Sequence, residues 1–197
     1  MKRIKFTDNI CQLEMINHDE IRDRILSEIS KTSDGDEDND SLYSRDSVAK
    51  LDWSSSKDTQ RPWVKIFLPS FFETIEEFIT KSAYKKIFLQ DIWYQQYEEG
   101  DCHGWHIHSD HFTGVYYLEY PESASSTEIC SPYDLKGREI KTTEGDMIIF
   151  PSHWIHRGLP NNKDRKTIIS FNFSLDAFYI DNVLVHSVND GKPNTSF

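Results

Sequence analysis

The feature that most constrains this chain is the texture of its second half. From Lys86 onward, short runs rich in β-branched and aromatic residues follow one another, cut by turn residues, with no helical period between them. In order they are KIFLQDIWYQQYEE, GWHIHS, FTGVYYLEYP, STEIC, REIKTT, GDMIIFPS, IHRGLP and RKTIISFNFSL. Closely spaced strands of this kind read as an all-β sandwich or barrel. DAFYIDNVLV reads as one further strand and NDGKPNTSF as a frayed tail.

The first half reads differently. Residues 3–16 suggest a short strand or two. Asn17 then stands as an N-cap, acids crowd the next turn, and Ile21, Ile25 and Ile29 recur every four residues, which predicts a helix over 18–31. A second helix is expected from Pro69 to Tyr84, with Phe72, Ile75, Phe78 and Ile79 facing the core. Both tryptophans of residues 48–68 are expected to pack inward. The architecture this predicts is an all-β core of jelly-roll type with flanking helices.

Between the two helices, residues 31–47 are polar and acidic. Asp34, Asp36, Asp38 and Asp40 alternate there, but Asn39 and Arg45 stand where an EF-hand loop needs Gly and Glu, so a mobile solvated loop is expected. The chain divides into a strand and helix buttress over 1–85, a catalytic core over 86–175, and a C-terminal strand and tail over 176–197, all within a single domain.

Composition limits the partners. A net charge of −11 disfavours nucleic acid, whose phosphates are bound by patches of Lys and Arg. No apolar run is long enough to span a membrane, and MKRIKFTDNICQLEM has no uninterrupted apolar stretch of signal-peptide type. Three cysteines without a close pair fit a reducing, cytoplasmic setting.

The chemistry is concentrated between Tyr97 and Tyr117. Four of the chain's eight histidines, His103, His106, His108 and His111, fall there within nine residues. Side chains two apart on a strand share a face, so His106 and His108, or His108 and Asp110, could present two ligands to one metal. Residues four apart lie about 13 Å apart along a strand, so one pair serves, not both. A distal ligand is available in His156, with His153 in reserve. Arg165 follows nine residues after His156, and its guanidinium fork suits a carboxylate. Two His, a third donor and open positions are what a non-haem Fe(II) oxygenase requires.

The stretches WYQQYEEGDCHGWHIH, FTGVYYLEYP, EGDMIIFPSHWIH and RKTIISFNF resemble the 2-oxoglutarate/Fe(II)-dependent dioxygenases, over roughly residues 86–175. The likeness is to a branch with an HxH…H…R motif met in phage and bacterial sequences. It implies a double-stranded β-helix, cupin-like, with iron at one mouth. Prolyl hydroxylases of this superfamily carry Tyr-x-x-Gly nine residues before the first iron-binding His; here Tyr97 to Gly100 leads to His106 at that spacing. The resemblance therefore implies His106, His108 and His156 as ligands, with Arg165 gripping the far carboxylate of 2-oxoglutarate. Tyr97 would hydrogen-bond the co-substrate, and Tyr117 and Asn172 are the further co-substrate candidates. Tyr116 and Tyr117 alternate, so one lines the pocket and the other packs outside. His108 stands where the superfamily usually has Asp, so either the triad is three histidines or Asp110 replaces one of them.

The function implied is a hydroxylase that couples decarboxylation of 2-oxoglutarate to succinate with oxidation of a small-molecule, protein or peptide substrate. It would use Fe(II) and O2, with ascorbate in support. Two alternatives stand beside it: a cupin-like three-histidine metal enzyme that does not use 2-oxoglutarate, and a non-catalytic, metal-stabilised binding module.

Overall fold

Two antiparallel sheets enclose one apolar layer, and two helices cover the outer face of the larger sheet. The structure, a computed structural model, describes residues 5–7, 10–32, 47–48, 50–82 and 84–178. In chain order the elements are β1 (Lys5–Thr7), β2 (Ile10–Glu14), α1 (His18–Lys31), β3 (Lys50–Leu51), α2 (Pro62–Lys81), β4 (Tyr84–Tyr97), β5 (His103–His106), β6 (Phe112–Glu119), β7 (Thr127–Cys130), β8 (Gly137–Glu139), β9 (Asp146–Pro151), β10 (Ile155–Gly158) and β11 (Lys166–Phe178). The larger sheet has the order β1-β2-β9-β6-β11-β4-β3 and the smaller β5-β10-β7-β8. This is the jelly roll that the spacing of the short runs predicts. β2 and β3 hydrogen-bond to β9 and β4, so the sheet extends into the first half of the chain.

The spine is the long antiparallel pair β4–β11, which runs from Lys166 opposite Tyr97 to Phe178 opposite Tyr84 with a shift of register between Asn172 and Phe173. Strand alternation sorts β11 between two cores. Ile169, Phe171 and Phe173 join the cluster under the helices, whereas Ile168 joins Tyr97, Val115, Tyr117, Ile129, Ile148 and Phe150 between the sheets. Lys166, Ser170 and Asn172 share the face of Ile168. The segment Asp176–Phe178 continues β11 and is not a separate strand; the rest of DAFYIDNVLV, and most of the acidic stretch with Asp34–Asp40, lie outside the described residues.

The first half of the chain departs from expectation in several places, and α2 ends at Lys81, short of Tyr84, which opens β4. α1 has the predicted bounds and buries Ile21, Ile25 and Ile29, but Asn17 caps it by position alone. Its backbone is left-handed (φ 60°, ψ 29°) and its side chain makes no cap bond; its carbonyl accepts from Glu20 and Ile21. α2 starts at Pro62, in the first turn where a missing N–H costs nothing, and Pro69 lies inside it. Phe67 and Phe71, stacked at 5.2 Å on either side of Pro69, carry the packing across the lost hydrogen bond. The buried stripe is Trp63, Val64, Phe67, Phe71, Ile75 and Phe78. Phe72 falls off that stripe and is 47% exposed, and Trp53 is 44% exposed where both tryptophans were expected inside.

Gly114 marks the closest approach of β6 to the helix-side core. A Cβ there would lie 2.1 Å from Phe171 Cζ and 3.0 Å from the Ile148 carbonyl. No helix among the described residues is long and apolar enough to cross a membrane.

Candidate metal centre

Three imidazoles converge at the edge of the smaller sheet. His106, the last residue of β5, is the cross-strand partner of His156 on β10. His108 is not on that strand, as its spacing from His106 suggested; it lies beyond the end of β5, where its backbone N–H donates to the Ser152 carbonyl at 2.9 Å. That bond ties the segment after β5 to the β9–β10 turn. The ligand atoms of the three histidines all lie within 4.8 Å of one another. Ring centroids are 4.2 Å apart for His106–His156, 5.0 Å for His106–His108 and 5.1 Å for His108–His156.

The electrostatics suit ligation. Burial disfavours the charged form of each ring, and the neighbouring histidines add to that effect. His156 is lowered to about 3 and His108 to about 4, with Asp91 opposing the shift at His108; His106 is lowered furthest, by burial and then by His156 and His103. Neutral imidazole is the metal-binding form.

Two of the rings have their tautomers fixed. His106 Nδ1 lies 2.8 Å from the Gly104 carbonyl, and His156 Nδ1 lies 3.0 Å from the Trp154 carbonyl. A carbonyl only accepts, so each Nδ1 carries the proton and each Nε2 keeps a free lone pair. Three neutral nitrogen donors in this arrangement fit Fe(II), as they would other first-row metals with an imidazole preference.

The remaining candidates fall elsewhere. Asp110 does not join the three histidines; it is raised by burial and then by Asp91, and bonds to Ser174. His103 packs against His106 at 4.1 Å. His111 is exposed and accepts the Leu175 N–H through Nδ1 at 2.9 Å, and His153 is exposed beside Tyr133. Tyr117 faces between the sheets, its hydroxyl donating to Thr127 Oγ1 at 2.8 Å, whereas Tyr116 faces the helices and bonds His18 Nδ1 at 2.6 Å.

Arg165 is not brought to this interior. It precedes β11 and holds Glu119 bidentately, Nε to Oε2 at 2.9 Å and Nη2 to Oε1 at 3.0 Å, at the surface. Its neighbour Lys166 is inside, 2% exposed. The Lys166 ammonium lies 4.3 Å over the ring of its cross-strand partner Tyr97 and donates to the Ser125 carbonyl at 2.9 Å. Burial lowers it to about 8. Among the described residues this buried ammonium faces a ring and a carbonyl but no anion, and a carboxylate would supply one.

His108 also opens onto a cleft of about 600 Å³. Trp53, Lys57, Asp91, Asp110 and Asn172 line it. Trp93 bridges the cleft and the three histidines, 4.5 Å from the Trp53 ring and 5.7 Å from His108. Sequence reading missed Lys166, Asp91 and Trp93, although alternation along β4 and β11 puts all three on the inner face with Tyr97 and Asn172.

Solved structures of 2-oxoglutarate/Fe(II) oxygenases share this jelly-roll fold. A viral collagen prolyl hydroxylase from Paramecium bursaria Chlorella virus-1, solved as a 2OG complex, aligns with a TM-score of 0.56 at 17% identity over 86% of this chain and 97% of its own. A Pseudomonas putida prolyl-4-hydroxylase gives 0.61 at 12% identity over 84% and 93%. A Trichoplax adhaerens prolyl hydroxylase, in complex with a hypoxia inducible factor peptide fragment, gives 0.61 at 15% over 85% and 84%. The likeness is one of fold. No family model matches the chain, and no curated protein does.

Proposed function

We propose that this chain is an Fe(II)- and 2-oxoglutarate-dependent dioxygenase that hydroxylates a peptide or small-molecule substrate. The observation that carries the reading is the convergence of three imidazoles, with a buried lysine on the inner face of the larger sheet. His106, His108 and His156 would hold the metal, which when bound would supply O2 activation and the oxidative decarboxylation of 2-oxoglutarate to succinate.

The chain's own residues do the rest. The Lys166 ammonium pairs with the far carboxylate of 2-oxoglutarate, in place of the Arg165 fork that Glu119 occupies. Tyr97 and Tyr117 wall the co-substrate, and the apolar layer around Phe150 and Ile168 keeps water from it. Substrate enters by the cleft beside His108, between Trp53 and Asp110.

Succinate release with Fe(II), ascorbate and 2-oxoglutarate tests this reading. Wild type and Arg165→Ala are expected to turn over, whereas Lys166→Met should weaken 2-oxoglutarate binding by roughly 10- to 100-fold, as for loss of a charged hydrogen bond. Turnover that survives Lys166→Met but not Arg165→Ala would return the co-substrate role to Arg165.

The second reading is a three-histidine metal enzyme without 2-oxoglutarate, favoured by His108 standing where a carboxylate is usual. It predicts metal binding with no binding of the keto acid. A non-catalytic binding module predicts metal-dependent stability with no turnover.

A further inference from the structure

His106 and His156 each have a backbone carbonyl at Nδ1; His108 has a side chain. Asn172 lies with its amide nitrogen 3.4 Å from His108 Nδ1, and its Oδ1 lies 2.9 Å from Thr113 Oγ1. Thr113 Oγ1 is in turn 2.9 Å from Ser152 Oγ, and Ser152 is the residue whose carbonyl takes the His108 backbone N–H. Asn172 is 2% exposed, Thr113 1% and Ser152 0%. A closed, buried polar chain thus runs from one end of the imidazole back to the same residue's backbone.

A half-turn about the Asn172 Cβ–Cγ bond exchanges the amide oxygen and nitrogen at nearly the same positions. With nitrogen toward His108, Nδ1 would have to accept, the proton would sit on Nε2, and the ring could not offer Nε2 to a metal. With oxygen toward His108, Nδ1–H donates to Asn172 Oδ1. Asn172 Nδ2 then donates to Thr113 Oγ1, and Thr113 donates to Ser152 Oγ. Each of these bonds then joins a donor to an acceptor, and all three histidines present Nε2.

We infer that Asn172 is a positioning residue that turns its carbonyl to His108 Nδ1 and, through Thr113 and Ser152, makes His108 an Nε2 ligand. The inference rests on the three-histidine reading of the site. It also reassigns Asn172: the residue acts on a ligand, not on the co-substrate. An imidazole two residues after His106, where a carboxylate is usual, needs a hydrogen-bond acceptor behind it, and β11 supplies one at its inner face.

The test uses Co(II) as a paramagnetic probe in the full chain. Three exchangeable, hyperfine-shifted Nδ1–H resonances are expected in wild type, and His108→Ala should remove one of them. Asn172→Leu leaves Nδ1–H without an acceptor; it should weaken Co(II) binding about 10- to 100-fold and lose the His108 resonance to solvent exchange. Asn172→Asp, which only accepts, should restore both. Asn172→Leu with wild-type Co(II) affinity and three resonances overturns the inference while the triad stands. Loss in Asn172→Leu that Asn172→Asp does not restore also overturns it, since the effect is then one of packing. A wild-type chain that does not bind Co(II), or a His108→Ala variant that binds as tightly, removes the triad reading and this inference with it.

Discussion

Lys166 shows how much a single side chain's setting determines. Burial lowers its ammonium to about 8, because the ring of Tyr97 and the Ser125 carbonyl offset only part of the lost hydration. The unfolded chain keeps the ordinary lysine value, so above about pH 8 the unfolded state holds more protons than the folded one and stability rises with pH through that window. Below it, the cost of the buried charge is fully present. A bound carboxylate reverses the preference by stabilising the ammonium. Affinity for 2-oxoglutarate is therefore expected to be flat from pH 6 to about 8 and to fall roughly tenfold per pH unit above it. Calorimetric titration of 2-oxoglutarate across pH 7–10 checks this; an affinity independent of pH in that range would separate Lys166 from the co-substrate. The same residue marks where sequence reading stopped. Arg165 has the fork that suits a carboxylate, yet it lies one residue out of phase with Ile168 and Asn172. Parity along a strand is legible in sequence, but which parity faces inward depends on the partner strands. Arg165 is diverted by Glu119, opposite Thr167 on β6, a pairing no local pattern announces.

At the scale of elements, the second half of the chain was readable because each strand is short, apolar and bounded by its own turn. The runs ending in β4, β6, β7, β9 and β10 all appear where the pattern puts them. The helices were legible where one period ran unbroken, as in α1. α2 was misread at its start because Pro69 resembles a first-turn proline, and only the burial of Trp63, Val64 and Phe67 shows that Pro62 holds that place. His108 was misplaced for a related reason: two-residue spacing implies a shared face only while the strand continues, and β5 ends at His106. The join between helix layer and sheet is testable at Gly114. A methyl group there meets the Phe171 ring, which Phe71 holds at 4.8 Å from the other side. Gly114→Ala should destabilise the fold by about 1–3 kcal/mol, as overpacking does, measured by urea denaturation with an unchanged m-value. A Gly114→Ala protein as stable as wild type would show that the Phe171 ring swings clear without cost.

For the molecule as a whole, the candidate metal site joins parts that chain connectivity leaves separate. His106 and His156 belong to the smaller sheet, Asn172 belongs to the larger one, and His108 hangs between them from the β9–β10 turn. The ligand nitrogens of the three rings lie within 4.8 Å of one another. A cation bound among them would tie the smaller sheet to the connection that follows β5. Binding to the folded state alone stabilises by about 2.7 kcal/mol at a free metal concentration of 100 Kd. For a chain of 197 residues that corresponds to a rise in Tm of roughly 5–10 °C. Thermal unfolding of chelator-treated protein, before and after stoichiometric Fe(II) is restored under anaerobic conditions, measures it. His108→Ala sets the scale of the triad's part. A metal held by all three rings should lose most of the increment in that variant, and one held only by His106 and His156 across the β5–β10 ladder should keep it. If the full increment survives the substitution, the metal stabilises the sheet alone, and His108 serves the cleft it lines instead of the ion.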